Sequence, residues 1–180
     1  IAEMARRGFL EISPRQGTVV ADYHRNGTLD ILVSIMSYNG GQLPREEIRS
    51  ILEIRGVMMA FALESAVPLM TAEQVSQLRE QSEAFARARG AEEAAQLIYE
   101  FDHMLSGFSD NTLLPLFFCS FQTPIKELWK RYVTRNGVAI LKSRNDELLE
   151  CIEKKDVPAA KRVIADSIAE TISGRTEIYG

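Results

Sequence analysis

The chain has 180 residues, enough for one sizeable domain with a small extra piece. A net charge of -4 argues against broad nucleic-acid binding by the chain as a whole, although a local basic patch stays compatible with it. No apolar run is long enough to span a bilayer, and no signal peptide is visible, so a cytoplasmic protein is expected. The first residues already read as mid-helix and Ile1 is no initiator, so the chain is expected to be a fragment. Residues 1–8, IAEMARRG, read as the last turns of a helix stopped by Gly8. Phe9 to Ile12 alternates apolar and polar as a half-buried strand does. Ser13 to Gly17 is a turn, and β-branched Thr18, Val19 and Val20 form a returning strand. Helix, strand, turn, strand is the back half of a winged helix, here over 1–22, with a polar link at 23–27.

Residues 28–180 give no further strand signal. Thr28 opens a helix carrying Ile31, Leu32, Ile35 and Met36, which ends near Asn39-Gly40-Gly41. Pro44 starts a long helix with Ile48, Ile51, Leu52, Val57, Met58, Phe61 and Ala62 expected inside. Thr71 and Gln74 fit a capping box for the next helix, which runs until Gly90. Further helices are expected over 91–108, 110–134, 138–153 and 156–173, the last capped by Asp156. A kink or break is expected near Pro124. Leu113 to Phe121 is the most apolar run in the sequence and is expected to be buried on all sides. Cys119 and Cys151 both read as buried, reduced thiols. The fold class is therefore mainly α: an antiparallel bundle of about seven helices after a partial winged-helix β-wing.

The order of these parts resembles one family. RRGFLEISPRQGTVVADY is similar to the end of the DNA-binding domain of GntR-family transcription regulators. LEIRGVMMAFALESA at 52–66, FDHMLSGFSDN at 101–111 and ELLECIEKKDVPAAKRVI at 147–164 resemble the effector-binding domain of the family's FadR branch. The resemblance implies a homodimeric regulator that binds operator DNA through its winged helix and a small effector inside the bundle. It implies no enzymatic activity, and no phosphate-binding loop or nucleophile elbow is present. It also makes 28–180 an effector-binding and dimerisation domain.

For the wing, the resemblance implies DNA contact by Arg15 and Gly17; a solvated tight turn is the alternative. Arg6 and Arg7 either contact phosphates or complement the end of the helix dipole. Many members of the branch hold a divalent metal with one Asp and three His. Carried onto this sequence, those positions are Ile98, Asp102, Asn145 and Ser167. Only Asp102 can act as an ionised ligand, so no metal and no cofactor is expected. His103, one residue past Asp102, should point about 100° away on a helix. His24 lies in the link.

The lack of ligand histidines is shared with metal-free, acyl-CoA-binding members of the branch. The effector is therefore expected to be of fatty-acyl or organic-acid type, although Ser173 stands where those members have an aromatic residue. Arg55, on an otherwise apolar helix, needs an anion. That anion is either a ligand group or an internal carboxylate, Asp102 or Glu100. Asn145 and Ser167 would supply neutral hydrogen bonds to the same ligand. Met59, Phe117 and Phe121 are candidate apolar walls, with ordinary core packing as the alternative. A regulator with a degenerate site, acting only as a dimerisation scaffold, is the second reading.

Overall fold

A computed structural model describes residues 1–13, 17–22, 25, 27–38, 43–176 and 178. Arg15, His24 and the Asn39-Gly40-Gly41 helix end fall outside the described residues, as does the side chain of Ile35. The chain divides into two compact units, Ile1–Leu43 and Pro44–Gly180.

In the first unit, α1 (Ala2–Arg6) is followed by β1 (Leu10–Ser13), β2 (Gly17–Val20) and α2 (Leu29–Tyr38). Gly8, at φ +87°, turns the chain out of α1, and the Phe9 N–H returns to the Met4 carbonyl. An L side chain resists that backbone conformation. The strands pair antiparallel, with Leu10 opposite Val20 and Ser13 opposite Gly17. Ile12 is exposed, so β1 lacks the half-buried alternation expected over Phe9 to Ile12; Val19 and Val20 of β2 are exposed as well. Ile31 and Met36 of α2 are buried. By its contacts α2 belongs to this unit, whereas the sequence reading begins the bundle at Thr28.

The second unit is a helical bundle. Its elements are α3 (Arg45–Ala66), α4 (Ala72–Ala86), α5 (Ala91–Gly107), α6 (Leu114–Ser120), α7 (Gln122–Asn136), α8 (Val138–Glu153) and α9 (Val157–Ser173). The capping box forms: Thr71 Oγ1 accepts from the Gln74 N–H, and Gln74 Oε1 accepts from the Thr71 N–H. Asp156 caps α9 by accepting from the Ala159 N–H. Thr71→Ala should therefore cost about 1 kcal/mol, read as a lower urea midpoint at unchanged slope.

α5 is the centre of this unit, packing against α3, α4, α6 and α7, while α9 packs against α3 and α8. α3 buries Ile48, Ile51, Leu52, Arg55, Met58, Met59, Ala62, Leu63 and Ala66. These recur every three or four residues and trace one face. Val57 and Phe61, expected inside, lie four apart on the other side and are exposed.

The apolar run Leu113–Phe121 departs most from expectation. It is not buried on all sides. α6 is a short outer helix that lays Leu114, Phe118 and the following Phe121 against the bundle. Leu113, Leu116, Phe117 and Cys119 are exposed. A helix packed against neighbours on one side buries one stripe, whatever its composition. The helix break falls at Phe121, which ends α6 and begins α7, three residues before Pro124. Pro124 sits in the first turn of α7, where its missing N–H costs no helical hydrogen bond.

At one end of the bundle, Lys155 adopts φ +56° between α8 and α9. Its Nζ donates to the carbonyls of Pro68 and Met70, between α3 and α4.

Candidate effector site

Arg55 and Asp102 meet where α3 crosses α5. Both are buried, at 7% and 2% exposure. Arg55 Nε donates to Asp102 Oδ2 at 2.9 Å, and Nη2 donates to Oδ1 at 3.0 Å, a forked pair. Of the two carboxylates weighed for Arg55, Asp102 is thus the partner. Glu100 instead accepts from Gln81 and Gln96. The guanidinium carbon lies 4.5 Å from the centroid of the Trp129 ring on α7, a cation–π distance. Burial raises the pKa of the Asp102 carboxyl; the attraction of Arg55 opposes this without cancelling it.

Arg55, Asp102, Asn145 and Ser167 line one small cavity, together with Ile98, Trp129 and Arg144. The four positions to which the resemblance assigns metal ligands therefore converge, although they come from three helices. Two donors among the lining residues lack a well-formed hydrogen bond. Asn145 Nδ2 and Trp129 Nε1 are buried and make no hydrogen bond of normal geometry. The Trp129 N–H is still near enough to Asp102 to favour its charged form. Arg144, at the rim, is held by Glu170 at 2.6 Å and by Glu147 at 3.6 Å.

The cavity holds about 30 Å³, and a neighbouring one holds about 20 Å³. Each is room for roughly one water. Arg55, Trp129 and Ser167 line both.

The donor set does not fit a divalent cation. Ile98 has no donor atom, Asp102 is already forked onto Arg55, and the guanidinium brings positive charge to the place a cation would occupy. Among the described residues no group of three or more His, Cys, Asp or Glu could hold a metal ion. His103 does not line the cavity. It stacks on Tyr99, with ring centroids 5.9 Å apart, and contacts Cys119.

The other expected site residues stay apart. Met59 is fully buried and Phe121 is buried, but neither lines these cavities, and Phe117 is 57% exposed. Trp129 is the residue that sequence reading missed. Its signal was available: it is the one tryptophan, standing in a charged helix.

In the first unit, Arg6 is exposed, and Arg7 Nη1 donates to Ser34 Oγ of α2 at 2.6 Å. Gly17 has φ +92°, with open space around it.

The model of the FCD domain matches residues 50–170, more than half of the chain. The chain belongs to the FCD domain family, the C-terminal domain of GntR-family regulators.

Solved structures carry the same fold at low identity. A GntR-family transcriptional regulator from Pseudomonas syringae pv. tomato aligns with a TM-score of 0.62 at 15% identity, over 97% of this chain and 66% of that one. Streptococcus agalactiae GntR aligns with a TM-score of 0.60 at 18% identity, over 96% and 78%. Escherichia coli McbR/YncC aligns with a TM-score of 0.59 at 15% identity, over 96% and 79%. The chain thus spans somewhat less than two thirds of the Pseudomonas protein. No curated protein matches the sequence. Among the described residues no helix is long and apolar enough to cross a membrane.

Proposed function

We propose that this chain is the effector-binding part of a DNA-binding transcription regulator of the FadR branch. A small acceptor-bearing ligand, a carboxylate by preference, enters the cavity at Arg55, Asp102, Asn145 and Ser167. There it alters how a homodimer holds operator DNA. The observation that carries this reading is the buried, unpartnered donor Asn145 Nδ2, on a residue that lines the same space as Arg55, with Trp129 Nε1 held only by a poorly aligned approach to Asp102. Buried N–H groups left without acceptors are costly, and a ligand oxygen would satisfy them.

A carboxylate would also compete with Asp102 for the Arg55 fork. Arg55, Trp129 and Ser167 wall both cavities, so a shift of these side chains would join the two spaces. The small volume favours a compact acid over a fatty acyl chain. The DNA-binding part follows from the wing-like first unit, with Arg6, Arg7, Arg15 and Gly17 as its candidate contacts.

The scaffold reading draws support from a different fact: the Arg55–Asp102 pair already satisfies its own charges. Thermal unfolding separates the two. A panel of small mono- and dicarboxylates, with one long-chain acyl-CoA, is titrated against the chain. A true effector at a hundredfold excess over its Kd stabilises by about 2.7 kcal/mol, or about 5–10 °C for a chain of this size. Asn145→Leu should abolish that shift. If no member of the panel moves the midpoint, and operator binding by the full-length regulator ignores all of them, the scaffold reading replaces the sensor.

A further inference from the structure

The second cluster of reactive side chains lies outside the cavity, where α6 packs on α5. Tyr99 and His103 are one turn apart on α5, and their rings stack with an interplanar angle of 29°. α6 brings Cys119 Sγ to 3.3 Å from His103 Nε2. Cys119 is exposed, so a reagent can reach its sulfur. The pKa of the Tyr99 hydroxyl is raised, by burial first and by the nearby Cys119 second, which keeps it a proton donor. An exposed thiol thus has a base within hydrogen-bond distance and, stacked on that base, a second ring with a hydroxyl. Leu116, exposed and one turn before Cys119 on the same short helix, gives an apolar approach to it. Cys151 is half-buried, with its thiol pKa raised by burial and by nearby Asp156 and Glu147.

We propose that Cys119, with His103 as its base, is a covalent modification site for apolar soft electrophiles of the α,β-unsaturated carbonyl class. The Cys119 S–H proton passes to His103 Nε2 as sulfur bonds to the β-carbon. The π pair of the C=C bond moves to the enolate, and the imidazolium proton returns to the α-carbon. The product is a thioether, and no oxidant is consumed. The adduct sits on the α5–α6 pair outside the cavity, which neither His103 nor Cys119 lines.

The test is the rate of maleimide addition at pH 7, mapped by peptide mass spectrometry on the intact chain. Cys119 should react at least tenfold faster than Cys151 and faster than glutathione. Exposure alone could set Cys119 apart from Cys151, so His103→Gln is the deciding variant. It should slow Cys119 at least fivefold and leave Cys151 unchanged. Tyr99→Phe, which keeps the ring, should slow Cys119 by a smaller factor and reports the same cluster should His103→Gln fail to fold. N-phenylmaleimide should gain over N-methylmaleimide at Cys119 relative to glutathione. Unchanged Cys119 rates in these two variants, or a wild-type rate no greater than that of glutathione, would overturn the proposal.

Discussion

Asp102→Ala is expected to destabilise the helical unit by about 3–5 kcal/mol, because it strands the buried Arg55 guanidinium without its carboxylate. The size of this loss says nothing in favour of the pair itself. Taking both ions out of water opposes their mutual attraction, so Arg55→Met combined with Asp102→Leu should lie close to the wild type or above it. Urea unfolding of the two single variants and the double variant measures this as a cycle, and a strongly positive coupling energy is the expected result.

The protonation of Asp102 adds a pH signature. Its folded pKa is raised, so the stability it contributes is present below the ordinary carboxylate range. That contribution is lost as pH rises through the raised value. Asp102→Asn should remove this component from the pH–stability profile. A cycle with no coupling would mean that the forked geometry contributes little.

The second large effect separates two adjacent phenylalanines. Phe118→Ala should cost about 3–5 kcal/mol, since it empties a fully buried site beneath α6. Phe117→Ala, at an exposed position, should stay within about 0.5 kcal/mol of the wild type. Paired denaturation curves decide it. If both variants lose several kcal/mol, α6 is buried on both sides after all.

That contrast marks where sequence reading runs out. Composition identifies Leu113–Phe121 as apolar but does not say which residues face the bundle. Over a helix as short as Leu114–Ser120 there is too little periodicity to reveal a face. Longer helices were more legible. The capping box at Thr71, the cap at Asp156 and most of the inner face of α3 follow from spacing and local hydrogen-bond chemistry alone.

The site was legible in a different way. Ile98 and Asp102 share a face because they are four apart on one helix. Asn145 and Ser167 could be brought to them only by the family resemblance, and all four line one cavity. The apolar candidates Met59, Phe117 and Phe121 did not join them, because a Met or Phe at helical spacing carries no information about which void it borders. The Cys119–His103 contact was out of reach for a related reason. It joins residues sixteen apart, across a helix break whose angle nothing in the sequence specifies.

Lys155 has a consequence at the far end of the bundle. Its ammonium bridges carbonyls 85 and 87 residues away in the chain, while its own backbone sits in a conformation that glycine would adopt more easily. Glycine there would relax the turn and sever the bridge, so backbone ease and long-range connection are opposed at one residue. With the bridge intact, the α3–α4 and α8–α9 junctions share one fastening. Fraying at either junction breaks the same two hydrogen bonds, so the two ends are linked through one side chain.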